Sequence, residues 1–201
     1  FEYINHDHLS YFTVSTALKL ADESGLILVS AKRVEHKGGS IHLIFRTKES
    51  GAKPDESVGQ LLQRETWLRV KELDTYVTFA ENIKLKGEMI KHGLKQLNSP
   101  NMAGIGASIS TTHLIYQYEL NEFISMLFDD DVNKKGRYSP GVGLPVLGLN
   151  ELSANNFDTA VLLAWQHSQV LLQRINEINF GGVTVCIMPS FDLIEPMKIS
   201  T

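Results

Sequence analysis

The first pattern of apolar and polar residues along the chain predicts a short helix at residues 13–24. Either Thr13 or Ser15 can cap the start of this helix, because a side-chain hydroxyl accepts a hydrogen bond from an otherwise unpaired backbone N–H. Gly25 is well placed to end the helix, since glycine adopts the left-handed conformation that helix ends favour.

Two runs of β-forming residues follow, at 26–34 and 40–46, and Gly38 and Gly39 lie between them. A Gly-Gly pair permits the positive φ values that tight hairpins need, so a β-hairpin is predicted. A lone two-stranded hairpin is marginally stable in water. We therefore expect this hairpin to be the edge of a larger sheet whose other strands lie outside the chain; the alternative is that it packs on the downstream domain.

Residues 47–56 are polar, contain Gly and Pro, and predict a linker. Ser57 and Gln60 have the spacing of a capping box, which places a helix start there. Apolar residues then recur in steps of three, four and seven, at Trp67, Val70, Leu73, Val77, Ala80, Ile83, Ile90, Leu94 and Leu97. This stripe predicts a helix of about 30 residues, roughly 45 Å long, that bridges two domains or packs against a partner. Gly87 lies on the same face, where another backbone is expected to approach; plain core packing is the alternative for the stripe.

From residue 100 onward, short apolar runs alternate with helical segments. Strands are predicted at 102–105, 124–128, 144–147, 159–164 and 183–188, and helices at 110–118 and 168–178. This alternation predicts an α/β fold with a parallel sheet and helices on its faces. In such sheets ligands bind outside the carboxyl ends of the strands, so the candidate chemistry lies in the loops that follow them.

Composition narrows the classes of function. The 23 acidic residues outnumber the 19 basic ones, and a net charge of −4 argues against a nucleic-acid binder. No apolar stretch approaches the ~20 residues of a membrane span. The single cysteine, Cys186, cannot form an internal disulfide or a thiolate zinc site within this chain, which indicates a reducing, cytoplasmic compartment.

The first strand-end loop contains Gly104, Gly106 and Ala107 and then the hydroxyl residues Ser108, Ser110, Thr111 and Thr112. A glycine-rich turn before a helix lets backbone N–H groups approach a phosphate at the positive end of the helix dipole. Asp129 lies at the end of the next strand, where dinucleotide-binding domains have an acidic residue that binds a ribose hydroxyl. A tight structural turn is the alternative, because the third glycine of the dinucleotide fingerprint is replaced by Ile109.

The second strand-end loop begins with Asp129-Asp130-Asp131, which suggests a calcium loop but lacks the remaining EF-hand ligands. Lys134, Lys135 and Arg137 can instead meet phosphate charge, and a solvated surface loop is the alternative. In the third loop, Trp165 either stacks on a base or covers the core.

A histidine cluster lies near the start of the chain, at Asn5-His6-Asp7-His8, flanked by Tyr3 and Tyr11. Histidine titrates near neutral pH and is the usual general base. A metal site is the second interpretation, although a third ligand is not identifiable, and a surface histidine pair is the third.

Several separated motifs resemble those of one family. The segment from His6 to Phe12 is similar to the Tyr-His-Glu-His-x-x-Tyr motif of sugar C-methyltransferases, which use S-adenosylmethionine to methylate C3 of nucleotide-linked deoxysugars. Other matching motifs are Gly38-Gly39-Ser40, Gly104-x-Gly106-Ala107, Asp129-Asp130, Lys134-x-Gly136-x-Tyr138-x-Pro140-Gly141 and Leu163-Ala164-Trp165. Their order and spacing agree across nearly the whole chain.

The resemblance implies a domain layout. Residues 1–48 would be the end of a central class I methyltransferase domain, 49–99 a linker and long helix, and 100–201 a C-terminal Rossmann-like domain. The methyl donor would be bound mostly by residues upstream of this chain, and zinc is expected only in a missing N-terminal region. The implied binding partner is a nucleotide-sugar substrate, and binding to nucleic acid or to a membrane is not expected. A homodimer is a possible oligomeric state.

The resemblance also implies residue roles. His8 would be the general base that removes a proton next to a keto group, Asp7 would orient or polarise the site, and His6 would contact the sugar. Asn5 replaces the family's tyrosine, which would change how the sugar is held and implies a different sugar substrate. The predicted substrate-binding residues are Asn5, Tyr11, Gly104, Gly106, Ala107, Ser108, Ser110, Thr111, Asp129, Lys134, Tyr138 and Trp165.

Two other functions compete with this prediction. A nicotinamide-dependent oxidoreductase domain follows from the glycine loop and Asp129 alone, and a non-catalytic interaction domain follows from the long helix and the incomplete first unit. The missing third glycine and the absence of a dehydrogenase-like catalytic set count against the oxidoreductase.

Overall fold

A computed structural model describes residues 1, 3–4, 7–35 and 39–194 of the chain. The chain divides into two compact units, a smaller one at Asn5–Glu81 and a larger one that combines Phe1–Ile4 with Asn82–Thr201. None of the helices in the described ranges combines the length and apolar character needed to cross a membrane.

The smaller unit contains the helix and hairpin expected from the sequence. Its elements are α1 (Val14–Glu23), β1 (Leu26–Val34), β2 (Ser40–Thr47), a 3₁₀ turn (Lys48–Ser50) and α2 (Glu56–Trp67). The strands β1 and β2 pair antiparallel, with a bulge between Leu28 and Ser30. Helix α1 starts from Thr13, whose hydroxyl accepts from the Thr16 backbone N–H at 3.2 Å. Of the predicted Gly-Gly turn, Gly38 lies outside the described residues.

The two edges of this hairpin differ. On the outer edge of β1, the Val29 carbonyl accepts from the Asp55 backbone N–H at 2.8 Å, and the Ala31 N–H donates to Ser57 Oγ at 3.0 Å. Among the described residues, the sheet has only two strands, so β2 has a strand partner on one side only. The core of the unit is formed by Val14, Leu28, Ala31 and Val58.

The prediction of one continuous helix of about 30 residues is wrong. Helix α2 ends at Trp67 and α3 (Leu73–Gln96) is a separate helix of 24 residues. Arg69 has a φ of +53°, a left-handed conformation that a right-handed helix cannot include. Trp67 is 78% exposed rather than part of a packed stripe. Helix α2 also begins one residue before Ser57, with Asp55 as its cap.

The larger unit has a six-stranded sheet in the order β5-β4-β3-β6-β7-β8, parallel except for β8. Its elements are β3 (Met102–Ile105), α4 (Ile109–Tyr118), β4 (Ile124–Asp129), β5 (Val146–Gly148), β6 (Thr159–Leu162), α5 (Ser168–Glu177), β7 (Val183–Cys186) and β8 (Asp192–Ile194). Short 3₁₀ turns lie at Leu120–Glu122, Leu149–Ala154 and Trp165–His167. The predicted α/β fold with a mostly parallel, helix-flanked sheet is confirmed.

Both faces of the sheet are covered, which explains why the central strands β3 and β6 are buried at every position. One face packs against the C-terminal half of α3 and against α4, through Ile90, Leu94 and Leu114. The other face packs against α5 and the 3₁₀ turn after β5, through Ile175 and Leu149.

Gly87 of α3 lies against a side chain rather than against the backbone that the sequence analysis expected. A Cβ built on Gly87 would lie 2.7 Å from Cδ1 of Tyr118, so the aromatic ring takes the space that a side chain would need. The ring of Phe1 packs on the same tyrosine, with 5.4 Å between centroids.

Candidate functional site

The carboxyl ends of β3, β4 and β6 meet at one edge of the sheet, and Asp129 connects two of their loops. Its Oδ2 accepts from the Ala107 backbone N–H at 2.7 Å and from Lys134 Nζ at 3.0 Å. Its Oδ1 accepts from the Asp131 backbone N–H at 2.9 Å. The Asp129 side chain is only 13% exposed, so these charge-assisted bonds are partly shielded from water. The structure thus brings Ala107, Asp129 and Lys134 together.

The hydroxyl residues of the first loop form the start of α4. Ser108 Oγ accepts from the Thr111 backbone N–H at 3.3 Å, and Thr111 Oγ1 accepts from the Ser108 N–H at 2.7 Å. Ser108 and Ser110 also share a hydrogen bond of 2.9 Å. This capping box uses the hydroxyls predicted to meet a phosphate, and leaves the amides of Ile109 and Ser110 as the first-turn donors that the cap does not use.

The two glycines of this loop are required by packing inside the protein. A Cβ on Gly104 would lie 2.6 Å from Cδ2 of Leu127, and one on Gly106 would lie 2.6 Å from Cβ of Ala164. Gly106 also has a φ of +106°, which residues with a side chain rarely adopt. These contacts account for both glycines by the alternative interpretation, a tight structural turn, because they allow β3 and its turn to fit against β4 and β6.

The loop between β4 and β5 is a folded hairpin rather than a loose basic segment. The Gly136 N–H donates to the Val146 carbonyl, and the Val146 N–H donates to the Arg137 carbonyl, both at 2.8 Å. Gly141, with a φ of +78°, lies directly against Tyr116, whose hydroxyl and ring occupy the position of a Cβ. Tyr138, in the same hairpin, is 71% exposed.

Carboxylates near this hairpin hold two of the basic residues. Lys135 Nζ lies 2.8 Å from Glu151 Oε1, and Lys134 Nζ lies 3.0 Å from Asp129 Oδ2. The hydrogen bond from Lys135, together with one from the Gly148 backbone N–H, lowers the pKa of Glu151 below its usual range. Hydrogen bonds from Asn133 lower the pKa of Asp131 in the same way. Both lysines predicted to meet phosphate therefore already have carboxylate partners.

The third loop, after β6, holds Trp165 and Gln166. Trp165 is partly buried and packs against the core on both faces of the sheet, so it covers the core, one of the two roles predicted for it. The Tyr3 hydroxyl donates to Gln166 Oε1 at 2.9 Å. This bond attaches the start of the chain to the strand-end loop. Sequence analysis did not select Gln166, because nothing near it in the sequence indicates a partner 163 residues away.

The histidine segment belongs to the smaller unit. Residues 7–12 are exposed and contain no helix or strand. The rings of His8 and Tyr11 meet edge to face, with 6.5 Å between centroids. Asn5 and His6 lie outside the described residues. In the ranges that the structure describes, no group of three or more histidine, cysteine or acidic residues could hold a metal ion.

A residue that sequence analysis missed lies next to this segment. Glu65, in the last turn of α2, accepts hydrogen bonds from the backbone N–H groups of Val14 and Ser15 at the start of α1. The two elements are about 50 residues apart in sequence, so no local capping pattern reveals the contact.

An open apolar groove lies between α1 and one face of the hairpin in the smaller unit. Its volume is about 830 Å³, and its lining includes Leu20, Leu43, Phe45 and Arg33. Ile41, Leu43 and Phe45 alternate along β2 and so share this face of the sheet. The groove leaves apolar side chains of the hairpin exposed.

Comparison with known proteins gives two findings. A family model described as "C-methyltransferase C-terminal domain" matches residues 35–189, about three quarters of the chain. C-methyltransferase NovU of Streptomyces niveus is 25% identical over 205 residues, an alignment that covers 100% of this chain and 47% of that protein. The chain thus spans about half the length of this curated relative.

Proposed function

The chain belongs to the family of C-methyltransferase C-terminal domains, and from this membership we propose which kind of enzyme contains it. We propose that it is the C-terminal part of an S-adenosylmethionine-dependent C-methyltransferase whose substrate is a nucleotide-linked keto-deoxysugar. The family match over residues 35–189 carries the proposal, because it spans the strand-end loops that follow β3, β4 and β6. The resemblance of the segment from His6 to Phe12 to the sugar C-methyltransferase motif supports the finer assignment.

The proposed chemistry forms a carbon–carbon bond. His8 accepts a proton from the sugar carbon beside the keto group, and the electron pair of that C–H bond moves into an enolate. S-adenosylmethionine supplies an electrophilic methyl group on a positively charged sulfur. With the donor bound, the enolate carbon would take this methyl as the S–CH₃ bond breaks, and the sulfur would be left as a neutral thioether. Asp7 and His6 are proposed to orient the base and to contact the sugar, with Asn5 where the family has tyrosine.

The donor's binding site is proposed to lie mainly in residues outside this chain. The described residues of the smaller unit include one hairpin, the helices α1 and α2 and the first part of α3, and no glycine-rich loop between a strand and a helix. The chain covers 47% of NovU, which leaves ample length in an enzyme of that size for such a domain. Two observations support the proposal that this hairpin is part of a larger sheet: the exposed apolar groove, and the edge of β2 that has no strand beside it among the described residues.

The nucleotide-sugar is proposed to bind at the carboxyl edge of the larger unit's sheet. The N-terminus of α4 offers an anion the amides of Ile109 and Ser110. Tyr138, in the hairpin between β4 and β5, offers an exposed ring on which a base can stack. Asp129 fixes the Ala107 amide in place and so shapes the loop rather than only meeting a ribose.

Calorimetry on the purified chain tests this site. A nucleoside diphosphate sugar is expected to bind weakly to the wild type, Tyr138→Ala to weaken binding by about tenfold, and Tyr138→Phe to bind as the wild type does, because stacking needs only the ring. The melting temperature of all three should agree. Selective binding of NAD, or equal binding by Tyr138→Ala, would contradict the assignment.

Methyl transfer by the intact enzyme tests the activity. With isotopically labelled donor, the wild type should place the label on a sugar carbon, and His8→Ala should lower kcat by about 10²–10⁴-fold with little effect on sugar binding. The 201-residue chain alone is expected to transfer none, because catalysis needs donor and acceptor held together. A His8→Ala enzyme with near-normal turnover would show that the base has been misassigned.

A further inference from the structure

The start of α1 is held by another helix as well as by its own cap. A helix leaves its first backbone N–H groups without partners inside the helix. In α1 the Thr16 N–H is taken by the cap Thr13, whereas the Ser15 N–H donates to Glu65 Oε2 at 3.0 Å and the Val14 N–H to Glu65 Oε1. One carboxylate of α2 therefore occupies both remaining donors of this first turn.

The position of Glu65 is unfavourable for α2 itself. Glu65 lies in the last turn of α2, where the negative end of the helix dipole disfavours an acidic side chain. The same carboxylate lies at the positive end of α1, where the dipole and two charge-assisted hydrogen bonds favour it. Its contact with α1 therefore accounts for an acid at this place in α2. Val14 is fully buried, so the contact is partly shielded from water.

The segment that carries His8 ends where this contact begins. Residues 7–12 are all exposed, with Leu9 at 90%, so burial of their side chains does not fix the course of the segment. Helix α1 follows directly after Phe12 and Thr13, and its first turn is fixed by Glu65. We infer that Glu65 is a positioning residue: it fixes where the His8 segment leaves α1, and so the placement of the base. This inference rests on the proposed function of His8.

Hydrogen exchange in the purified chain tests the contact without any activity. The first two amides of a helix normally exchange freely, so protection of the Val14 and Ser15 amides reports Glu65. In Glu65→Gln, which keeps one acceptor oxygen, at least one of the two amides should exchange about tenfold faster. Glu72→Gln is the matched control, because Glu72 accepts a hydrogen bond from Arg69 in the turn between α2 and α3. This variant should leave both amides protected. Wild-type amides without protection would overturn the inference.

Kinetics of the intact enzyme test the positioning role. Glu65→Gln should lower kcat by about 10- to 100-fold, the scale of a small misplacement of a catalytic group, while KM for the nucleotide-sugar stays within about twofold. The acidic limb of the pH profile should stay where the wild type has it, because the base itself is unchanged. Glu72→Gln should behave as the wild type.

The outcomes separate this inference from the proposed function. If His8→Ala keeps normal turnover, the proposed base is wrong and Glu65 has no base to position. If His8→Ala is inactive but Glu65→Gln keeps the wild-type kcat, the base stands and the positioning role is overturned. A Glu65→Gln enzyme that loses the acidic limb would also overturn it, because Glu65 would then be the titrating group.

Discussion

Single residues at the carboxyl edge of the larger sheet are held by the protein's own contacts. Gly104 and Gly106 leave room for Leu127 and Ala164, and Asp129 joins the Ala107 amide to Lys134. These contacts set the shape of the loop before any ligand arrives. A substitution at one of these glycines therefore tests packing, whereas a substitution at an exposed residue such as Tyr138 tests binding.

Gly106→Ala should lower the free energy of unfolding by about 1–3 kcal/mol, because the new methyl meets Ala164 in a positive-φ backbone. Gly59→Ala is the matched control, since Gly59 lies inside α2 with nothing within 4 Å of an added Cβ. That control should raise stability by about 0.5–1 kcal/mol through helix propensity. Chemical denaturation measures both, and a neutral Gly106→Ala would disprove the packing explanation.

Glu151 makes the end of β5 sensitive to acid. Its pKa is lowered in the folded protein by Lys135 and by the Gly148 N–H, so its contribution to stability is present above the unfolded pKa of about 4.3 and lost as pH falls through the folded pKa. The Gly148 amide should therefore exchange faster as pH falls through the lowered pKa of Glu151, after correction for intrinsic exchange. Glu151→Gln should remove this pH step, and a step that survives in that variant would assign it to another group.

Helices and strands were predictable where one apolar pattern decided the element. The run Met102–Ile105 is buried on both faces and matches the predicted strand at both ends. The break between α2 and α3 was not predictable, because apolar spacing continues through Arg69, a residue with no sequence mark of left-handed backbone. Strand β8 was not predicted, because a strand of three residues is too short to show a pattern and one of the three is the acidic Asp192.

Within the candidate site, the sequence placed the loops but not their contacts. Parallel strands bring their carboxyl ends to one edge, so Ala107 and Asp129 could be expected near each other. The role of Asp129 as acceptor for the Ala107 amide depends on side-chain geometry that spacing does not encode. The role of Glu65 could not be predicted for a similar reason, because the backbone N–H groups that it binds lie about 50 residues away in sequence.

The hairpin of the smaller unit should show which edge joins further strands. In the purified chain, every second amide of β2, facing away from β1, should exchange rapidly, whereas the Ala31 amide of β1 is protected by Ser57. In the intact enzyme the same β2 amides should become protected and Ala31 should not change. Equal exchange of the β2 amides in both proteins would show that no strand joins this edge.

The chain divides into two compact units, and its sequence aligns to 47% of NovU. Family membership establishes a C-methyltransferase C-terminal domain. The proposed division of labour assigns the nucleotide-sugar to the larger unit's sheet edge and the base to His8 in the smaller unit. Its central step is removal of a proton from carbon, which needs no methyl donor and can be observed separately from transfer.

Solvent exchange at the sugar carbon observes that step. The intact enzyme is incubated with a nucleotide-linked keto-deoxysugar in D₂O without S-adenosylmethionine, and deuterium at the carbon beside the keto group is followed by NMR. The wild type should incorporate deuterium faster than the enzyme-free control, and His8→Ala should slow incorporation by about 10²–10⁴-fold. Incorporation by His8→Ala at the wild-type rate would contradict the assignment of His8 as the base.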